Sequence, residues 1–157
     1  MTWQGSNFKG PRVTVSRLRA RKAGRLKRLE NKHKQQVRDR DKTCRFPLCG
    51  CRARGLFLEV SHKIHKGMGG DPTGERSVPE LMVYLCNWRH KEGTFAIDRE
   101  TLRWLALTSK GAAGPIAWEM RIGSAWIALA REVSIGVWEP FSRDQKRILD
   151  GLAEMTS

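Results

Sequence analysis

Three of the chain's four cysteines fall between Cys44 and Cys51, in the run CRFPLCGC, and no other feature limits the fold so tightly. Pro47 and Gly50 inside the run, with Gly55 after it, exclude a regular helix or strand there, so the segment must form a knuckle or tight loop. The opening residues MTWQGSNFKGPR are polar and do not read as a secretory leader. The expected compartment is therefore the reducing cytoplasm, where clustered thiols are metal ligands more often than disulfides. The longest apolar run, Ala125 to Ala130, is far shorter than the ~20 residues of a membrane span, which points to a soluble protein with no membrane partner.

Charge divides the chain. Its 157 residues carry a net +14, and residues 1–43 account for +11 of it. Charge this concentrated favours a polyanion, and nucleic acid first. From Ser16 to about Arg40 the segment has no proline and only Leu18, Leu26, Leu29 and Val37 as large apolar residues. That pattern predicts a basic helix with a thin apolar stripe, on which Arg21, Lys22 and Arg25 are positioned for phosphates. His33 reads as a solvated side chain of this arm. The remaining chain, within an overall 39% hydrophobic composition, is enough for one core.

Further along, Leu56, Leu58 and Val60 alternate towards His62, which predicts a short strand. Four glycines and a proline between Lys66 and Glu75 predict a long exposed loop. The run LMVYLC at 81–86 predicts a buried strand leading into a short helix at Asn87, with a helix from near residue 78, boxed by Ser77 and Glu80, as the alternative. Thr94 to Thr108 reads as a hairpin turning at Asp98 to Glu100, and Gly111 to Pro115 as a break. Trp118, Trp126 and Trp138 read as core, and Trp3 alone as an exposed stacker. A last helix is predicted from about Arg143 to Glu154, capped by Ser142 and burying Ile148, Leu149 and Leu152.

The segments RDKTCRFPLCG, LEVSHKIHKGMGGD and LMVYLCNWRH together resemble the HNH endonucleases of the ββα-metal (His-Me finger) type, especially small phage and bacterial ones. The resemblance covers Cys44 to His90. Order and spacing carry it, because each piece alone is weak. No Gly-Lys-Ser/Thr follows the glycines, so a Walker phosphate loop is excluded.

The resemblance implies an α+β fold: a basic arm or helix at 1–43, a ββα-metal core with a zinc-knuckle-like cysteine cluster at 44–110, and a C-terminal extension with a helix at 111–157, packed on the core. It makes His62 the general base and His90 the holder of a catalytic Mg²⁺ or Mn²⁺. Imidazole suits the first task because its ordinary pKa is ~6.5. Ser61 stands where the family usually has an Asp or His ligand, and a neutral hydroxyl binds a cation less well. Leu81, preceded by Glu80, stands where the family has its Asn. His65 and Glu80 are the candidates to complete the metal's ligands, against a plain loop residue and a helix cap. The family's structural zinc maps onto Cys44, Cys49 and Cys86. Its fourth knuckle position is Arg89 here, which leaves Cys51 as the available thiolate, the other reading being buried thiols packed as small hydrophobes. Lys63, Lys66 and Arg89 lie close enough in sequence to grip a phosphate backbone.

The implied function is a metal-dependent DNA endonuclease in a bacterial cytoplasm, host- or phage-encoded. DNA is the implied partner, and a second copy of the chain or a phage packaging protein are further ones. The alternative is a zinc-stabilised module that binds nucleic acid without cutting it. A basic RNA-associated protein explains the charge but gives the histidines no purpose.

Overall fold

Residues 16–36 hold no proline and no β-branched side chain, and Arg, Lys, Leu and Gln are good helix formers. They coil into α1, Val15–Asp41. The helix stops where Lys42 takes a left-handed φ of 56° and its N–H returns to the Arg38 carbonyl at 2.8 Å. The computed structural model describes residues 15–52, 54–64 and 71–154. None of the described helices is long and apolar enough to cross a membrane.

An acidic residue is unfavourable at a helix C-terminus, so Asp41 is best understood by what it bonds. Its carboxylate accepts the Tyr84 N–H at 2.9 Å and both Arg40 and Arg45. Arg40 also donates to the carbonyls of Pro79 at 2.9 Å and Met82 at 2.8 Å. The last turn of α1 is thereby bolted to a two-stranded antiparallel hairpin, β1 (Leu58–His62) and β2 (Met82–Cys86). Register pairs Ser61 with Val83 and His62 with Met82.

Side chains alternate across this hairpin. Val60, Met82 and Tyr84 meet Val37 of α1, which is fully buried. The opposite face sends Val83 and Leu85 into the main core with Phe46 and Trp118. That core is closed by a four-stranded antiparallel meander: β3 (Leu102–Ala106), β4 (Ile116–Ile122), β5 (Ala125–Ser134) and β6 (Val137–Pro140). Leu149 of α2 (Arg143–Glu154) packs there too, with Ile148 partly buried, and the Ser142 hydroxyl caps α2 through the Gln145 N–H at 3.2 Å. The Leu152 side chain lies outside those described. The described residues therefore form an α+β fold whose two sheets are both antiparallel.

One buried ion pair joins the knuckle to the large sheet. Arg45 donates to Glu132 through Nε at 3.0 Å and through a terminal nitrogen at 2.6 Å, and also to the carbonyls of Gly114 at 2.7 Å and Ala112. Glu132 in turn accepts the N–H groups of Ile116 and Gly136, each at 3.0 Å. At Gly111, φ is +58° and a Cβ would lie 2.5 Å from the Glu80 carbonyl oxygen, so only glycine fits where the hairpin approaches the sheet.

One expectation changes, and one open alternative is decided. The turn after Asp98 exists, with the Glu100 N–H on Ile97 O at 2.9 Å, but residues 94–97 form no strand, and β3 instead pairs with β4. That pairing runs across the segment boundary expected at 110/111. Strand β2 is the outcome at 82–86, because the Ser77 hydroxyl donates to Asp71 at 2.7 Å instead of capping a helix. Only a short 3₁₀ turn, Pro79–Leu81, precedes it.

Candidate functional site

The knuckle folds back so that the Arg45 N–H bonds the Tyr84 carbonyl at 2.9 Å, and this brings Cys44, Cys49 and Cys51 against Cys86 at the end of β2. All four sulfurs lie within 4.8 Å of one another, and Cys49 and Cys86 are 3.7 Å apart. Zinc bonded to four thiolates at ~2.3 Å in a tetrahedron sets its sulfurs about 3.8 Å apart, so the residues present fit such an ion. The Cys86 N–H points at the Cys44 sulfur at 3.4 Å, a hydrogen bond that orients a thiolate ligand.

The thiols also share protons unevenly. Hydrogen bonds from Cys44 and Cys86 pull Cys49 down to about 2, and one from Cys44 lowers Cys51. The hydrogen bonds to its three neighbours, with burial, raise Cys44 well above the ordinary thiol value. The Cys44 hydrogen bond lowers Cys86, but Cys49 and burial outweigh it and push that thiol up to about 12. Sulfurs this close cannot all ionise unaided, and a divalent cation at their centre removes the conflict. The cluster borders an open groove of about 860 Å³ that gives such an ion a way in.

The second candidate is built on the hairpin. Strand β2 runs through Asn87 into a π-helical turn, Trp88–Glu92, which carries His90. His90 is 9% exposed, with Nδ1 3.4 Å from Glu59 and Nε2 3.4 Å from Asp98. Burial lowers its pKa against the pull of Asp98 and Glu59. Burial would raise the Glu59 pKa, but the Lys91 ammonium, 2.7 Å away, and His90 bring it below the ordinary value.

Ser61 lies on the same face of β1 as Glu59, and its fully buried Oγ has no hydrogen-bond partner among the described residues. His62 lies on the other face, with Nε2 4.0 Å from Glu30 of α1. The two imidazoles thus flank β1 from opposite sides, each beside its own carboxylate.

A separation of 3.4 Å between Glu59 Oε1 and His90 Nδ1 suits two ligands of one small cation, whose bonds to each are ~2.1 Å. The cysteines remain the one group of three or more His, Cys, Asp or Glu ligands that converges among the described residues. A catalytic ion on the hairpin would keep water in its other positions, as Mg²⁺ commonly does.

Several expected contacts fall elsewhere. Arg89 is 2% exposed, with its guanidinium 4.5 Å from the Phe46 ring centre, so it supports the core and is not on the surface for phosphates. Glu80 is exposed beside the Gly111 turn. His33 is half-buried, and its Nδ1 bonds the Ser77 carbonyl at 2.7 Å, which fastens the loop to α1. Arg21, Lys22 and Arg25 are exposed, as is Lys63. His65, Lys66 and Trp3 lie outside the described residues. Sequence reasoning missed Glu59 and Asp98. Two-residue alternation could have found Glu59, since it places residues 59 and 61 on one face. No protein-family model matches the chain, and no curated protein or solved structure does either.

Proposed function

We propose that this chain is a divalent-metal-dependent endonuclease of the HNH type acting on DNA. The observation that carries the reading is the arrangement of the hairpin and its following helical turn: His62 ends the first strand, and His90 lies in the turn beside Glu59. Among the described residues β1 pairs only with β2, which leaves its other edge without a ladder partner.

Along that edge a phosphate meets groups from both faces. From one side His62, neighboured by Glu30, takes the proton of the attacking water. From the other, Glu59 and His90 hold the cation, with Ser61 on the same face. When bound, the ion neutralises charge building on the phosphate and the leaving oxygen. The exposed cations of α1 supply sequence-independent affinity, and a Cys44/Cys49/Cys51/Cys86 zinc pins the hairpin to the knuckle.

The test is plasmid cleavage with Mg²⁺ or Mn²⁺. Wild type should nick or linearise the plasmid, and His62→Ala should lose cleavage by at least about a hundredfold while still binding DNA. A wild type that binds but never cuts with any metal refutes the reading. It then favours a binding module, which the neutral Ser61 at a ligand position and the incomplete convergence of hairpin ligands also support.

A further inference from the structure

We propose that the exposed edge of β3 is a second nucleic-acid contact, which holds a single-stranded stretch by its phosphates and by one unstacked base. The proposal rests on the nucleic-acid reading above. β3 is an outer strand of the large sheet, and beside it runs a groove of about 400 Å³ lined by Lys63, Glu100, Arg103, Arg121 and Trp126, among others. A smaller hollow of about 270 Å³ continues it past Lys63 towards Leu105.

The groove adjoins both parts of the hairpin site. Lys63 directly follows His62, and its N–H is held by the Leu81 carbonyl at 2.8 Å. The turn at Ile97–Glu100 is hydrogen-bonded to the His90 turn, through Ile97 N–H to Arg89 O at 3.1 Å and Asp98 N–H to His90 O at 2.9 Å. A strand leaving the hairpin edge on this side therefore runs into the groove.

Its chemistry suits a polynucleotide. The Arg103 guanidinium lies 4.0 Å from the Trp126 ring centre, and Glu119 fixes it by contacts of 2.6 Å to both Nε and a terminal nitrogen. With its charge offset and its plane held, Arg103 serves with Trp126 as a flat platform, the kind of surface on which bases stack. Lys63, 4.6 Å from the Trp104 ring centre, and Arg121, whose Nε bonds the Gly123 carbonyl at 3.2 Å, are the phosphate hands. Glu100 is the only carboxylate among the described groove-lining residues. Bases inside a duplex have no free face, which is why the platform selects an unpaired segment.

The test uses the full chain without added divalent metal, so that binding is read apart from cutting. A fluorescein-labelled single-stranded oligonucleotide should bind about tenfold more weakly to Trp126→Leu and to Arg121→Glu, while Trp126→Phe, which keeps a ring, binds nearly as wild type. Arg121→Glu should also lower the slope of log affinity against log salt by about one. An oligonucleotide carrying 5-iodouracil should crosslink to Trp126 on irradiation. If both variants melt as wild type yet bind within twofold of it, and crosslinks map only to α1, the proposal is overturned. Should Trp126→Leu fail to fold, the Arg121→Glu affinity and the wild-type crosslink decide. A chain that cuts plasmid but ignores Arg121→Glu loses the groove and keeps the nuclease. One that never cuts yet weakens in both variants keeps the groove alone.

Discussion

Replacing Glu132 by glutamine isolates the join between the cysteine knuckle and the large sheet. Glu132 and Arg45 are each 3% exposed, and the carboxylate accepts four hydrogen bonds, two from Arg45 and one each from the Ile116 and Gly136 N–H groups. Glutamine offers one acceptor oxygen, and its amide NH₂ then faces donors it cannot satisfy. Breaking one side of a buried, hydrogen-bonded pair costs ~3–5 kcal/mol. The neighbouring Asp41, 3.3 Å from Arg45, keeps part of the charge balance and argues for the lower end, about 3 kcal/mol. For a domain of this size each kcal/mol moves Tm by roughly 2–4 °C, so Glu132→Gln should melt about 10 °C lower. Urea unfolding, with metal content held equal, should show the midpoint fall at unchanged slope. The double variant Arg45→Met/Glu132→Leu should not recover wild-type stability, because Ala112 O, Gly114 O and the Ile116 and Gly136 N–H groups all lose partners. A loss below ~1 kcal/mol in Glu132→Gln would refute this account of the join.

Freshly purified protein should contain about one zinc per chain, and both chelation and Cys44→Ser should lower its melting temperature; a metal-free, equally stable preparation refutes the centre. Arg21, Lys22 and Arg25 replaced together by Ala should reduce the salt dependence of duplex binding by a log–log slope of about two to three, and an unchanged slope removes α1 from the interface. Because burial lowers the His90 pKa below 6.5, the unfolded chain binds the extra proton first as pH falls. Stability should thus be fullest above pH ~6.5 and decline as pH drops from there towards the folded value; urea midpoints without added divalent metal should follow that decline, less steeply in His90→Asn.

What was legible in the sequence was local. α1 and α2 follow from runs of helix formers and from a Ser142 cap whose partner is three residues away. β1 and β2 follow from short apolar patterns, the knuckle from the crowding of Cys44, Cys49 and Cys51, and the place of Cys86 beside them from the family resemblance. The 94–108 hairpin failed because the partner of β3 is chosen by packing: Leu102 and Trp104 pair with Met120 and Trp118, across a break that looks like a segment end. Arg89 was expected on a phosphate backbone and His33 in solvent, because cations and lone histidines are usually exposed, yet an aromatic ring and a distant carbonyl hold them. Arg45 and Glu132 lie 87 positions apart, beyond any periodic signal. The tryptophans divide: Trp104 and Trp118 are core, while Trp126 stacks under Arg103.

The manner in which α1 is fastened has a mechanical consequence. Asp41, Arg40 and Val37 fix one end and His33 ties the helix to the loop at Ser77, whereas Val15 and Leu18 at the other end are 64% and 54% exposed. At ~1.5 Å of rise per residue, Val15 stands about 33 Å along the axis from Val37. If the chain binds duplex as proposed and the α1 rod lies along the duplex axis, the outer cations meet backbone up to about ten base pairs from the clamp, at ~3.4 Å per step. The protected stretch on duplex should therefore extend asymmetrically to one side of the hairpin, and shortening the rod by whole turns should retract that border in steps of about 5 Å.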